Sequence, residues 1–400
     1  MSQTALETIR GVLTQVAPVP VGIDTNRFLL WEARGKFSYA QIRAFVGASI
    51  QALNEDTVMA WGDMISLTPE QTVWYMNGGA VTPADVTMGR SRPTLVFGNN
   101  ASHMIDLRVW ALALGGDGRT FEDMTESQLQ GSIIGLVTAL RDQFDYDLLT
   151  RFFSNSDVAI GTTGNGWSVG FCNGSPNAGS GGPKYAPPKY NGQTFYEDHN
   201  HYLAVNSAAT NPATNANYTY GDGISLIAAL VGEHGMPMNA QFKIEVAEAD
   251  VDTIQRDIRY VLPVADINID RGGITTGNIY FEESAVGSMP ASGGRYVGSV
   301  NTKYGFGRLF SNPRIPTGYA GLYRPGPAFA ENNALRVRYR PSTGFGCKIT
   351  EIPDETTTFP VKEIDCEMEY GVSCGSNRFA GAAMQFGSGV VSYTAPTIAL

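Results

Sequence analysis

The residues best suited to chemistry are clustered histidines. Glu197-Asp198-His199-Asn200-His201 sets two imidazoles two positions apart among carboxylates, and Glu233-His234 supplies a third further along. On a strand, His199 and His201 would share one face. Imidazole with carboxylate is a ligand set for zinc or iron, so a metal-dependent enzyme built on His199, His201 and His234 is one reading of the chain. The remaining histidine is His103. No general base stands at a recognisable spacing, however, and the motif borders a flexible loop. The expectation is hydrogen-bonded loop histidines, with no metal, no cofactor and no catalytic residue.

Other chemical signatures fail similarly. Gly164-Asn165-Gly166 resembles part of a phosphate loop but lacks the Lys-Ser/Thr pair and a following helix. No Gly-x-Ser-x-Gly elbow occurs. Cys172, Cys347, Cys366 and Cys374 form no Cys-x-x-Cys pair, so buried reduced thiols are expected.

Composition points away from a self-sufficient monomer. The 400 residues are 43% hydrophobic, enough for a core, yet only 16% are charged, against about 25% for typical soluble domains. So little charge suggests that much surface is buried against other subunits, whose obligate contacts are charge-poor. A net charge of −10 argues against tight binding to a phosphate backbone. No apolar run is long enough for a membrane helix and no signal-peptide pattern opens the chain, which predicts a protein soluble at synthesis.

The elements that must carry these residues can be read from periodicity. Ile42, Phe45, Val46, Ile50 and Leu53 recur at helical spacing over Ser38 to Leu53. Between Asp56 and Gly118, turn signals punctuate short apolar runs such as Thr94 to Phe97 and Met104 to Leu114, which reads as a long hairpin-like excursion. The most regular element follows. Thr125 and Gln128 match a capping box, and Leu129, Ile133, Leu136, Val137, Leu140, Phe144, Leu148 and Phe152 recur at steps of three and four. The spacing predicts a helix over 126–152, with Ile134, Tyr146 and Leu149 broadening its stripe for packing on a sheet. Residues 155–200, rich in Gly, Ser, Asn and Pro, read as a surface loop. A short helix over Ile224 to Val231, a strand over Phe242 to Val246 and a helix from about Asp250 to Tyr260 suggest a compact α/β unit.

The last third is β-rich, with two alternating charged strands. Arg336, Arg338 and Arg340 share one face, as do Glu363, Asp365, Glu367 and Glu369. Opposite charges across neighbouring strands stabilise by about 0.2–1 kcal/mol per pair, so the two strands are expected side by side with these faces matched.

Taken in order, these elements resemble the major capsid proteins of tailed bacteriophages, with the Hong Kong 97-type capsid fold, over nearly the whole chain. The most specific points are Ser102-His103-Met104-Ile105-Asp106-Leu107, Phe195 with His199-Asn200-His201-Tyr202-Leu203, Glu233-His234-Gly235 and Ile315-Pro316-Thr317-Gly318-Tyr319. The closing run Tyr370-Gly371-Val372, Arg378, Ala380-Gly381-Ala382, Tyr393 and Pro396-Thr397 completes them. The resemblance implies an α+β protein that is not an enzyme. It divides into an N-terminal arm (1–55), an extended loop (56–118), a peripheral domain with the spine helix and the Gly/Pro-rich loop (119–220), an apical α/β domain (221–330), and a return to the β-rich peripheral domain (331–400). It implies self-assembly into hexamers and pentamers of an icosahedral shell around double-stranded DNA, touched by weak contacts. A portal protein, a separate scaffolding protein or unaided assembly, and a decoration protein on the outer face are the further partners implied. The location would be the virion, with host cytoplasm during assembly. An encapsulin-type nanocompartment shell is the nearest rival, since it shares the fold.

One departure from the best-known member of this fold is legible at once. That member joins a loop lysine to a neighbour's asparagine, whereas this chain has no lysine between Lys36 and Lys184. Mass spectrometry of digested particles should therefore find no lysine–asparagine isopeptide arising from residues 56–118.

Overall fold

The computed structural model describes residues 48, 61–76, 100–116, 126–160, 166–174, 185–235, 241–257, 260–261, 294–351 and 362–399. The arm at 1–55 with its expected helix (Ala48 apart), the run Thr94 to Phe97, Thr125 and Gly164-Asn165 lie outside the described residues. In chain order come β1 (Ile65–Thr68), β2 (Thr72–Met76), β3 (Asn100–Met104), β4 (Arg108–Gly116), α1 (Glu126–Phe153), β5 (Val158–Ile160) and β6 (Gly166–Ser168). Then follow β7 (Tyr202–Asn206), β8 (Thr210–Asn211), β9 (Ala216–Asn217), α2 (Tyr220–Gly232), β10 (Phe242–Ala247), α3 (Val251–Gln255) and β11 (Tyr260–Val261). The chain continues through β12 (Arg295–Thr302), β13 (Gly305–Asn312), β14 (Tyr319–Tyr323), β15 (Leu335–Tyr339), β16 (Cys347–Glu351), β17 (Lys362–Cys374) and β18 (Gly381–Gly387). The protein is α+β, and none of its described helices is long and apolar enough to cross a membrane.

Two compact units share the chain: residues 1–61, 107–145 and 339–371 form the first, and 62–106, 146–338 and 372–400 the second. In the first, β17 runs antiparallel to β4, from Lys362 opposite Gly116 to Tyr370 opposite Arg108, and antiparallel to β16. Phe144 of α1 is fully buried there, its ring edge-on to Tyr370 at 4.9 Å and 5.7 Å from Phe345. Trp61 is also buried, its indole N–H donating to Asp145 at 2.6 Å.

The second unit is organised by a seven-stranded sheet in the order β11-β12-β13-β10-β14-β18-β7. Every residue of central β10 is buried, as expected for a strand covered on both faces. Tyr220, Ile224, Ile227, Ala228 and Val231 of α2 pack against Phe242, Ile244, Leu322, Ala382 and Met384. The start of α2 was hidden from the sequence because Tyr220-Gly221-Asp222-Gly223 reads as a turn. Thr219 and Asp222 in fact form a capping box, and the two glycines leave room for Asp257 and Met384. The helix expected to reach Tyr260 ends at Gln255, after which β11 begins at Tyr260.

Two further expectations are corrected, while the helix expected over 126–152 is present as α1, 28 residues or about 42 Å long. Among its described side chains, Ile134 and Leu136 are half-buried and Leu140, Phe144, Leu148 and Phe152 are buried. Gln128, Gly131, Ser132 and Gly135 are exposed. The segment 56–118 is not one outstretched ribbon. β1 is a body strand, parallel to β15 with Ile65 opposite Leu335, and β4 pairs with β17 along all nine of its residues. Their apolar runs find partners within the chain. Nor is 155–200 simply a surface loop, because Val169, Phe171, Cys172, Tyr185 and Phe195 are all buried anchors.

The C-terminal turn of α1 is the densest of these anchorages. Phe152 meets Phe153, Phe171 and Tyr323 at 5.1–6.0 Å between ring centroids, and Gly321 lies against it where a Cβ would clash. Phe152→Ala should cost about 3–5 kcal/mol of unfolding free energy, measured by chemical denaturation.

Candidate functional site

The connection between α1 and β7 has little regular structure, so its backbone polar groups must be satisfied by side chains. Two buried guanidinium groups do much of this. Arg151 donates to the carbonyls of Ser154, Ser156 and Ser168 at 2.6–2.8 Å. Arg378, 2% exposed, donates to the Gly170 carbonyl at 2.9 Å and forms an ion pair with buried Asp157 at 3.4 Å. The Tyr202 hydroxyl donates to the Ser154 carbonyl at 2.8 Å and accepts from the Phe171 N–H at 3.1 Å. A Cβ at Gly170 would sit 2.5 Å from that hydroxyl, so only glycine fits there.

This frame fixes the three histidines singled out in the sequence. His199 and His201 lie just ahead of β7, and His234 lies just beyond α2. Their Nε2 atoms converge: His199 to His201 is 3.0 Å, His199 to His234 2.9 Å, and His201 to His234 3.2 Å. The Nδ1–H of His201 donates to the Gly381 carbonyl at 2.7 Å. Glu233 Oε1 lies 3.3 Å from His199 Nε2. Phe195 packs on His199 and His234, with ring centroids 5.0 and 4.2 Å away, and Phe379 lies 4.8 Å from His234. Burial among these rings pushes all three imidazoles below the ordinary histidine range, His234 to about 3, with mutual repulsion adding to it for His201 and His234. All three are therefore neutral near pH 7. The three histidines form one cluster; the fold supplies the contact between His234 and the His-x-His pair, which lie 33 and 35 residues apart.

His103 lies elsewhere, buried on β3, with its Nε2–H donating to the Cys374 carbonyl at 3.1 Å. The four cysteines are buried thiols, none of them in a disulfide. Burial pushes the Cys374 thiol up to about 12, so it is no nucleophile at neutral pH.

Among the charged strands, β15 and β17 are neighbours in the sheet order β1-β15-β17-β16, and Arg340 bonds Glu369 at 2.7 Å. The other members go elsewhere. Arg336 meets Glu331 at 3.3 Å and Ser66 at 3.4 Å, and Arg338 donates to the Ile105 carbonyl at 2.7 Å. Glu363, Asp365 and Glu367 stand opposite Gly115, Ala113 and Ala111, with Lys348 across from Glu367 on β16. The reason is length: β15 has five residues and β17 thirteen, so most of the acidic run extends past the arginines.

Surface chemistry offers a second kind of site. Trp74 on β2 is 62% exposed beside fully buried Val73, and Val109, Tyr196, Phe306 and Val391 are each more than half exposed. Large apolar side chains left in water are candidates for burial against another chain.

No protein-family profile matches the sequence, and no curated protein matches it. Among solved structures, a chain described as Mycobacterium phage Patience is similar end to end, with a TM-score of 0.59 and 20% identity over 95% of this chain and 97% of that one. That likeness establishes a shared fold. Looser likenesses include the mature capsid of bacteriophage PhiM1 (TM-score 0.45, 12% identity, 82% and 86% covered) and the capsid of Ralstonia phage GP4 (TM-score 0.44, 12% identity, 81% and 89% covered).

Neutral His103 makes a testable contribution to stability. Burial first, then the positive charge of Arg378, lowers it from 6.5 to about 3. Below about pH 6.5 the unfolded chain takes up a proton that the folded chain refuses. The contribution is complete above that pH and is lost progressively as pH falls toward 3. The urea-unfolding free energy of His103→Gln should accordingly fall less steeply between pH 6.5 and 4 than that of the natural chain, by up to about 1.4 kcal/mol per pH unit.

Proposed function

We propose that this chain is the major capsid protein of a tailed bacteriophage, a structural subunit of Hong Kong 97-type fold that assembles into an icosahedral shell around double-stranded DNA. The observation that carries the reading is the likeness to the Mycobacterium phage Patience chain, which spans 95% of one chain and 97% of the other. The ordered sequence resemblance, from Ser102-His103-Met104 to Pro396-Thr397, supports the same reading independently.

The physical properties fit a subunit completed by its neighbours. Only 16% of residues are charged, and large apolar groups such as Trp74 and Phe306 remain exposed on the isolated chain. Burial of each such side chain at an interface contributes about 1.5–3 kcal/mol, repeated at every copy in a closed shell. An acidic chain also suits a container from which packaged DNA must remain free to move, with contacts weak and scattered. Hexamers and pentamers are the expected assemblies. A portal protein and a separate scaffolding protein are the expected partners, a decoration protein is a further one, and the virion is the expected location. The phage neighbour favours a viral shell over an encapsulin-type compartment.

The test is assembly. Expressed alone or with a scaffolding partner, the chain should give hollow polyhedral particles in negative-stain microscopy, and Trp74→Glu should leave the circular dichroism spectrum intact while reducing particle yield severalfold. A chain that stays monomeric at all concentrations and with every partner would overturn the reading.

A further inference from the structure

The histidine cluster poses a proton-counting problem that hydrogen bonding cannot solve. The Nδ1 of His201 faces a carbonyl at 2.7 Å, and a carbonyl only accepts, so the proton of neutral His201 is on Nδ1 and its Nε2 carries a bare lone pair. Three Nε2 atoms then meet within 2.9–3.2 Å of one another. If one of the other two nitrogens is protonated, a pair of lone pairs is left in contact. With both protonated, two N–H groups point at each other. No assignment satisfies all three contacts, and Phe195 and Phe379 lie against the rings where solvent could otherwise relieve them.

A cation satisfies all three at once. We propose that His199, His201 and His234 form a three-histidine site for a first-row divalent metal ion, with zinc the best match. The point equidistant from the three nitrogens in their plane lies about 1.8 Å from each, so an ion at a zinc–nitrogen distance of about 2.0–2.1 Å sits about 1 Å out of that plane, on the apex of a three-nitrogen pyramid whose other side takes a fourth ligand. A fourth ligand is at hand in the Glu233 carboxylate, whose Oε1 is 3.3 Å from His199 Nε2. The His201 Nδ1–H to Gly381 bond is the outer contact that commonly orients a metal-bound imidazole. The ion would tie the segment before β7 to the end of α2 and, through Gly381, to the first residue of β18. Three imidazoles and one carboxylate without a dedicated base describe a structural metal, and the proposal does not depend on the shell reading.

The experiment uses the full chain without a histidine tag, as particles or soluble protein. After chelator treatment and dialysis it is titrated with zinc chloride, and bound metal is measured by inductively coupled plasma mass spectrometry. About one zinc per chain is expected, with a rise in thermal midpoint that the chelator reverses. Cobalt(II) in its place should give the visible absorption of a tetrahedral nitrogen site. His199→Gln and His234→Gln should each weaken zinc binding more than tenfold. Because the unaltered chain is titrated first, a folding failure in either variant leaves the test intact. Folded natural protein that takes up no stoichiometric zinc overturns the proposal, as does uptake that both variants leave unchanged.

Discussion

Arg151 and Arg378 are charges held away from water, and the structure of the second unit depends on how they are satisfied. A guanidinium removed from solvent costs several kcal/mol unless its donors find acceptors. Here the acceptors are carbonyls of the connection after α1, including Ser154, Ser156, Ser168 and Gly170, together with the Asp157 carboxylate. Each side solves the other's problem. An irregular segment could not lie inside the protein without donors of this kind, and the two arginines could not be buried without its carbonyls. Once that exchange is made, Phe171 and Cys172 are carried inward, Tyr202 is clamped between Ser154 and Phe171, and the backbone just ahead of β7 is aimed so that its two histidines point toward α2.

The same exchange explains what the sequence could and could not reveal. Helix α1 was legible because apolar residues recur at steps of three and four for about six turns, a pattern that tertiary contacts seldom override. β10 was legible as a short apolar run. The inward course of 155–200 was not, because Gly, Ser and Asn signal a loop wherever it runs, and its burial depends on an arginine more than 200 residues later. β1 and β4 were taken into an excursion because turn residues separate them. Their pairing with β15 and β17 is set across more than 240 residues, beyond the reach of local periodicity.

The histidines show the same boundary at the level of a site. His199 and His201 were identified by type and spacing, and His234 was named with them as a possible third member. What spacing could not supply is the convergence of three nitrogens to about 3 Å, which needs α2 to end where it does and Gly381 to hold the His201 ring. The arginine and acid strands illustrate the converse. Alternation placed Arg340 and Glu369 on facing positions, and these two meet at 2.7 Å; the difference in length between β15 and β17, which alternation does not encode, sets how far the rest of the acidic run extends.

The position of β18 in the seven-stranded sheet has a consequence for biosynthesis. This strand sits between β14 and β7, antiparallel to one and parallel to the other, although its residues lie about 180 positions beyond their partners on β7. A ribosome must have released Gly387 before β7 can gain its neighbour in the sheet. Chain closure over such a separation is slow compared with pairing of adjacent hairpins. Nascent copies therefore carry β7 without this neighbour until β18 has emerged, and its bare edge is meanwhile available to a strand of another copy.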